Sequence, residues 1–297
     1  MTWFKRFGYF ILTNLLVMIT ISIAFNLIIQ FTGANRYAGA TGYLAIWSLV
    51  WGMGGSLISL LISKWTVKRM MGVRVINPQT ASTQDAELVE LVHQLALNAG
   101  LQKMPEVGIY DAPEINAFAT GRSRNSALVA VSTGLLRAMN RDQIQGVLGH
   151  EIAHVANGDM VTLTLIQGVV NAFVIFFSRI LAGIIANNIE SRNRDWIRFG
   201  LSMVFDIAFG ILGSMVVCYF SRAREFRADA GGAKYAGREK MISALRALQQ
   251  QFNQIPSDNS GAAVMKISSR SGGILGLLGT HPSLETRIAR LEQARAL

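Results

Sequence analysis

Several residue types are scarce in this sequence, and each scarcity argues against a class of protein. The single cysteine, Cys218, rules out an intramolecular disulfide and gives no sign of an oxidising compartment. Charged residues make up only 15% of the 297 residues, and the mean hydropathy of +0.34 is too high for an ordinary soluble domain. The net charge of +10 flanks apolar runs and does not alternate with aromatic residues. It therefore favours a lipid bilayer over nucleic acid as the partner.

Four apolar runs are long enough to cross a bilayer, which takes about 20 residues. Lys5 and Arg6 precede the first run without a small-residue cleavage site after it, so we expect a retained anchor and not a cleaved signal peptide. Basic residues cluster after the second run, which places the N-terminus and the chain after Lys64 in the cytoplasm. The runs cover residues 7–35, 37–63, 161–186 and 199–220.

The third and fourth runs each contain one charge, Arg179 and Asp206. An antiparallel hairpin brings these residues to similar depth, and we expect them to pair because an unpaired charge inside a membrane is costly. Two alternatives stay open. Arg179 can extend to the headgroups while Asp206 faces water or another helix. The hairpin can also be too shallow to cross, since arginines outnumber acidic residues in its loop.

A His-Glu-x-x-His pattern occupies residues 150–154. On a helix, residues four apart share a face, so His150 and His154 can bind one zinc ion while Glu151 acts as the general base. Asn140 and Gln143 predict a capping box at the start of this helix, and Gly158 predicts its end. The alternative is a pair of surface histidines without a metal.

A third metal ligand is predicted downstream at Glu225, with Asp229 one helical turn further on. Glu225 would bind the metal and Asp229 would hydrogen-bond a metal-binding histidine. Two membrane crossings between His154 and Glu225 return the chain to the same side, which is consistent with this assignment. The alternative is an acidic surface paired with Arg222, Arg224 and Arg227.

The soluble parts of the chain have simple patterns. Helices are predicted from Ser82 or Thr83 to Asn98, over 238–253, and after Pro282. Strands are predicted over 106–110, 115–119 and 127–132, and a loop over 256–276.

In combination, these motifs resemble the HtpX-type membrane-integrated zinc metalloproteases, which are related to the CAAX prenyl proteases. The resemblance covers nearly the whole chain. Ser283 stands where relatives often carry a second proline after the His-Pro pair. The motifs are residues 116–121, 131–136, 150–154, 157–160, 221–229 and 280–282.

The resemblance implies a predominantly α integral membrane protein. Four hydrophobic helices would accompany a cytosolic α+β zincin-like domain, with a small sheet and the active-site helix. The implied division is a two-helix anchor over 1–63, a first protease part over 64–160, a membrane hairpin over 161–220 and a second protease part over 221–297. One Zn²⁺ per chain would be bound by His150, His154 and Glu225.

The resemblance also assigns residues to the substrate. Asn116, Ala117, Phe118 and Ala119 would form an edge strand that holds an extended peptide, although the sequence by itself equally allows an interior strand. His281 would stabilise the oxyanion of the reaction, and its alternative is a structural histidine at a helix start.

The function that the resemblance implies is a zinc-dependent endopeptidase, a hydrolase that cleaves peptide bonds with zinc-activated water. Its polypeptide substrates would be misfolded or damaged membrane proteins, in envelope quality control and stress response. It would lie in the bacterial inner membrane with its active site on the cytoplasmic side. A membrane adaptor with a non-catalytic zinc site and a prenyl-protein-processing protease are the alternatives. Neither the sequence nor the resemblance indicates an oligomeric state.

Overall fold

The computed structural model describes residues 39–190, 192–254 and 279–294, together with four isolated positions, 23, 27, 30 and 31. The first predicted apolar run and the loop predicted over 256–276 therefore lie largely or wholly outside the described residues. The described part is mostly helical with one small mixed sheet, as the sequence predicts.

The described residues contain eight α-helices, a short 3-10 helix at Arg124–Ser126, and four strands. The helices are α1 Gly39–Met70, α2 Thr83–Asn98, α3 Thr133–Ala138, α4 Arg141–Asn157, α5 Asp159–Asn187, α6 Arg194–Ala236, α7 Arg238–Gln254 and α8 Leu284–Gln293. The strands are β1 Arg74–Val75, β2 Glu106–Tyr110, β3 Ala117–Gly121 and β4 Ala127–Ser132.

The chain divides into two compact units. The first unit contains the described residues up to Leu60 together with Leu163–Val217. The second unit contains Leu61–Thr162 and the described residues from Cys218 onward.

Three helices in the described part of the chain, α1, α5 and α6, are long and apolar enough to cross a membrane. Within the first unit α1 meets α5 closely, because a Cβ at Gly52 would lie 2.3 Å from the Ala172 backbone nitrogen. The predicted ion pair is confirmed, since Arg179 Nη1 donates to both carboxylate oxygens of Asp206 at 2.8 and 3.0 Å. The hairpin therefore places its two charges together.

Helix α6 continues well beyond the fourth apolar run, which ends at residue 220. The run and the acidic motif at Glu225 and Asp229 lie on one uninterrupted helix that ends at Ala236. No glycine or proline separates the run from the acidic motif in the sequence, so nothing breaks the backbone hydrogen bonds there.

The sheet of the second unit has the strand order β1-β2-β4-β3. Strands β2 and β4 are parallel and match the predicted bounds, whereas β3 pairs antiparallel with β4 and begins two residues later than predicted. Strand β3 lies at the edge of the sheet in the described part of the chain, which agrees with the edge position and not with the interior alternative. Strand β1, with only two residues, was not predicted.

The core of the second unit lies between one face of the sheet and helices α2 and α4. Leu95 of α2, Val129 of β4, and Leu148 and Ile152 of α4 are fully buried there. Helices α7 and α8 pack together through a smaller cluster that includes Leu245 and Leu291. Burial of these apolar faces fixes the side of α4 that remains for polar side chains.

Candidate metal centre

Helix α4 begins and ends as the sequence predicts. Asn140 accepts from the Gln143 backbone nitrogen while the Gln143 side chain accepts from the Asn140 backbone, which is the expected capping box. Gly158 ends the helix with a φ of 70°, in the left-handed region that favours glycine. These two signals set the register that places His150 and His154 on one face, opposite the buried Leu148.

Helices α4 and α6 approach each other closely at their glycines. A Cβ at Gly149 would lie 2.8 Å from the Ala236 side chain, and one at Gly232 would lie 3.0 Å from the His150 backbone nitrogen. Since larger residues would push the helices apart, the glycines allow Glu225 and Asp229 on α6 to reach His150.

Three side-chain donors converge between these helices. His150 Nε2 lies 3.1 Å from His154 Nε2. Glu225 Oε1 lies 3.3 Å from His154 Nε2, and Glu225 Oε2 lies 3.4 Å from His150 Nε2. The sequence predicted this set as the metal ligands, and the structure brings all three together.

The spacing of these donors fits a tetrahedral metal ion. Zinc binds histidine nitrogen and carboxylate oxygen at about 2.0–2.2 Å, so two ligands of a tetrahedral site lie about 3.3 Å apart. The observed separations of 3.1 to 3.4 Å match that value. Glu225 Oε2 is buried and has no aligned hydrogen-bond donor in the described part of the chain. A metal ion held between the three side chains would compensate the desolvation of this buried oxygen.

The outer nitrogens of both histidines face buried carboxylates. His154 Nδ1 lies 2.7 Å from Asp159 Oδ2, and His150 Nδ1 lies 2.9 Å from Asp229 Oδ1. Each carboxylate favours a proton on Nδ1, which leaves the lone pair of Nε2 directed at the shared centre. The contact predicted for Asp229 is therefore present.

Asp159 is a site residue for which the sequence suggested no role. It is buried, and it is the first residue of α5, directly after the glycine that ends α4. Helical periodicity does not predict its contact with His154, because the two residues are five apart across a helix break. Its local signals were its position next to a helix stop and its place in the motif at residues 157–160.

Arg287 is a second site residue that the sequence did not indicate. It lies on α8 and is buried, and its Nε and Nη2 donate to the two carboxylate oxygens of Asp229 at 2.8 and 2.6 Å. Its Nη1 lies 3.7 Å from Glu225 Oε2. The sequence pattern of α8 predicts its apolar face, whereas a buried arginine between apolar neighbours is not predictable from periodicity.

The carboxylates set the electrostatics of the site. Burial by itself lowers the pKa of His154, but hydrogen bonds to Asp159 and Glu225 outweigh it and raise the pKa to about 9. Burial opposes the charged form of His150 as well, and Asp229 and Glu225 raise its pKa above the usual range. The centre therefore favours positive charge, whether carried by protons or by a metal ion.

The remaining predicted residues lie on α4, before α8, and at strand β3. Glu151 is half-buried on α4 between the two histidines in sequence. His281 places Nδ1 2.8 Å from Glu225 Oε2, although the contact is not aligned as a hydrogen bond, and 65% of its side chain is exposed. Strand β3, which contains Ala117, Phe118 and Ala119, packs beside α4, and Asn116 precedes it.

The chain is similar to known peptidases over most of its length. The profile of peptidase family M48 matches residues 82–295. The chain is 48% identical to "Protease HtpX homolog" of Bacillus licheniformis over 295 residues, which cover 97% of this chain and 99% of the relative. It is 48% identical to "Protease HtpX" of Tolumonas auensis over 297 residues, 98% of this chain and all of the relative. The resemblance inferred from the motifs is confirmed.

A crystal structure of S. mikatae Ste24p has a similar fold, with a TM-score of 0.64. The match covers 97% of this chain but 66% of that chain, at 16% sequence identity. At this identity the likeness concerns the fold alone.

Proposed function

Because the chain belongs to peptidase family M48 and has helices that can cross a membrane, we propose that it is a membrane-bound zinc-dependent endopeptidase. The observation that carries the proposal is the convergence of His150, His154 and Glu225 at tetrahedral ligand spacing. In the part of the chain that the structure describes, three side chains form this set. A structural zinc site takes four protein ligands, whereas three protein ligands leave a position for the reaction. The metal centre is therefore suited to catalysis.

The protein would hold one zinc ion with His150, His154 and Glu225. Bound there, zinc would supply Lewis acidity toward water and the substrate carbonyl. Asp229 and Asp159 would keep the two imidazoles in the tautomer that ligation requires, through the contacts at 2.9 and 2.7 Å. Their burial keeps water from competing for these contacts.

Glu151 would be the general base and acid of the hydrolysis. It follows His150 directly on α4 and is half-buried, so it can reach water from the edge of the metal centre. Its carboxylate would accept a proton from the attacking water and then deliver that proton to the leaving amine. Replacement by glutamine removes this proton acceptor while it preserves size.

His281 would donate to the oxyanion that forms at the scissile carbonyl. Its contact with Glu225 places the imidazole beside the metal centre, and its exposure leaves one edge of the ring accessible to substrate. We expect His281→Ala to lower kcat by about 100-fold or more with zinc content unchanged. A lowered zinc content with unaltered kcat per bound zinc would instead indicate a role in metal binding.

Strand β3 would bind the substrate by adding it to the sheet as a further strand. Its position at the edge, beside the helix that carries the histidines, supports this role. Recognition through the main chain predicts that N-methylation of substrate peptide nitrogens weakens cleavage, whereas conservative side-chain changes at the same positions matter little. The reverse pattern in a matched peptide series would count against this role for Asn116, Ala117, Phe118 and Ala119.

The substrates would be misfolded or damaged membrane proteins, cleaved at cytoplasmic segments in the bacterial inner membrane. The membrane helices support a location in a membrane, and the relatives named as proteases support polypeptide substrates. The basic residues that follow the second apolar run, beginning at Lys64, favour the cytoplasmic side. Access of a membrane-impermeant reagent to a cysteine introduced at Ser283, in spheroplasts and in inverted vesicles, tests the sidedness.

The decisive experiment is proteolysis of an unfolded model protein by the detergent-purified chain, with zinc measured in the same samples. Glu151→Gln should retain zinc and lose cleavage, whereas Glu225→Ala should lose both. Unchanged cleavage by Glu151→Gln would refute the mechanism or reveal a contaminating protease. A wild-type protein that binds zinc but cleaves nothing would favour a membrane adaptor, and cleavage restricted to prenylated C-terminal peptides would favour a prenyl-protein-processing protease.

A further inference from the structure

Arg287 joins the C-terminal helix α8 to the carboxylates of the metal centre. Its guanidinium donates two hydrogen bonds to Asp229, at 2.6 and 2.8 Å, so that one N–H group faces each carboxylate oxygen. Its third nitrogen, Nη1, lies 3.7 Å from Glu225 Oε2. The arginine is 7% exposed, and its partners are 2% and 1% exposed. Solvent therefore screens these interactions little.

The two carboxylates would otherwise repel each other. Glu225 and Asp229 are one turn apart on α6, and like charges at this spacing are unfavourable even on an exposed helix. Burial strengthens the repulsion. The guanidinium contacts both groups, and Asp229 in turn faces His150 Nδ1 at 2.9 Å. Arg287 Nη2 itself lies 3.4 Å from the same nitrogen. Because arginine only donates, it does not hydrogen-bond an Nδ1 that carries a proton, and it then acts on His150 through the carboxylate. Its loss would free Asp229 to turn away and leave the imidazole without its orienting partner.

We infer that Arg287 is a positioning residue of the metal centre. Acting through Asp229, it orients His150 as a ligand and thereby raises the affinity of the site for a divalent metal ion. This inference rests on the proposed zinc site. It also implies that docking of α8 and metal binding favour each other, because the same side chain serves both.

The fork shape of arginine is essential to this role. Lysine carries the same charge but presents it as a single point, so it cannot bind both oxygens of Asp229 in a fixed plane. We therefore expect Arg287→Lys to recover only part of the metal affinity that Arg287→Met loses. Arg290 on the same helix provides a matched control, because it is exposed and its guanidinium lies over the Phe226 ring.

The test is a double-mutant cycle on zinc affinity. The full chain is purified in detergent with Glu151→Gln throughout, which prevents self-cleavage, and zinc dissociation constants are measured by competition with a chelator. Arg287→Met should weaken zinc binding by about 10- to 100-fold, the range for groups that orient a metal ligand. In the Asp229→Asn background, Arg287→Met should weaken zinc binding by less than about threefold, because the side chain at position 229 is already neutral. Arg290→Met should leave affinity within about twofold.

Several results would overturn the inference. One is an equal loss of affinity from Arg287→Met in both backgrounds, which would mean that the arginine does not act through Asp229. Another is an affinity unchanged from the parent. If Arg287→Met does not fold, Arg287→Lys decides the question through the absorption spectrum of the Co²⁺-substituted protein. A spectrum and an affinity identical to those of the parent would then show that the arginine only stabilises α8.

Failure of the proposed function is distinguishable from failure of this inference. If the Glu151→Gln parent binds no zinc, the proposed metal site falls and the inference falls with it. If the parent binds zinc and the cycle is additive, only the role of Arg287 is lost.

Discussion

Arg179 and Asp206 form an ion pair between α5 and α6, with Nη1 of the arginine 2.8 Å from one carboxylate oxygen and 3.0 Å from the other. Both residues lie within helices that are apolar enough to cross a membrane. An unpaired charge in hydrocarbon is costly, so pairing lowers the free-energy cost of burying each residue in the membrane. The two helices also meet through polar contacts at the start of α5, where Arg224 and Arg227 of α6 approach Asp159 at 3.2 and 3.8 Å.

We expect strong coupling between Arg179 and Asp206. Arg179→Ala or Asp206→Ala should each lower the free energy of unfolding by about 2 kcal/mol, the scale of a hydrogen bond to a charged group. The double variant should cost little more than either single variant, because the first change already removes the interaction. The measurement is the free energy of unfolding, in mixed micelles, of the wild type, the two single variants and the double variant. Additive losses would contradict the coupling, and Glu190→Ala in the loop serves as a control.

Asp159 should matter for metal binding as much as Asp229. Asp159→Asn removes the charge that faces His154 Nδ1 at 2.7 Å, and the affinity for zinc should fall by about 10- to 100-fold. Asp142→Asn is the matched control, since Asp142 lies on α4 but is largely exposed and pairs with Lys240. Competition with a chelator measures the zinc affinity of both variants. Equal affinities for the two variants would exclude Asp159 from the metal centre.

Glycine is required where α4 contacts α7. A Cβ at Gly146 would lie 2.4 Å from the Lys240 carbonyl oxygen, so Gly146→Ala must move a backbone and should cost about 1–3 kcal/mol of stability. In the described part of the chain, a Cβ at Gly200 on α6 would have no atom within 4 Å apart from its neighbouring residues and the adjacent helix backbone. Gly200→Ala should therefore be neutral or stabilising by up to about 1 kcal/mol. Thermal unfolding of both variants in detergent tests this. A stable Gly146→Ala protein would mean that the helices separate more easily than their contacts suggest.

Glu106 should make stability depend on pH. Burial raises its pKa, but hydrogen bonds from Lys64 and Lys68 at 2.7 and 2.6 Å outweigh this and lower the pKa below 4.5. A lowered pKa in the folded state stabilises the protein above pH 4.5, and this contribution is lost as the pH falls through the folded pKa. Since Glu106 is 41% exposed, the contribution is at most about 1 kcal/mol.

Comparison of the wild type with Glu106→Gln measures this dependence. The substitution should lower the melting temperature by about 1–3 °C near neutral pH, and the difference should shrink as the pH is brought well below 4.5. Glu90→Gln, at an exposed position of α2, should show no such difference. A gap between wild type and Glu106→Gln that persists in acid would mean that the side chain contributes by packing and not by charge.

Local sequence signals predicted much of the fold. The capping box at Asn140 and the glycine at 158 marked both ends of α4, because each satisfies backbone groups within a few residues. Strands β2 and β4 also matched their predicted bounds. Strand β3 was displaced by two residues, since Ala117 and Ala119 form a weak pattern and pairing with β4 sets its limits. Strand β1 exists only because β2 offers it a partner.

The sequence by itself determined the chemistry available to this protein: two histidines one helical turn apart, a glutamate between them, and a carboxylate pair downstream with the spacing of a helical face. Tertiary structure decided which groups meet. It brought Glu225 to the histidines, placed Asp159 behind His154, and directed Arg287 from α8 onto Asp229. Helical spacing is local and can be read from a few residues. Contacts between distant residues depend on how whole helices pack, and a buried charge becomes recognisable only when its partner is in place.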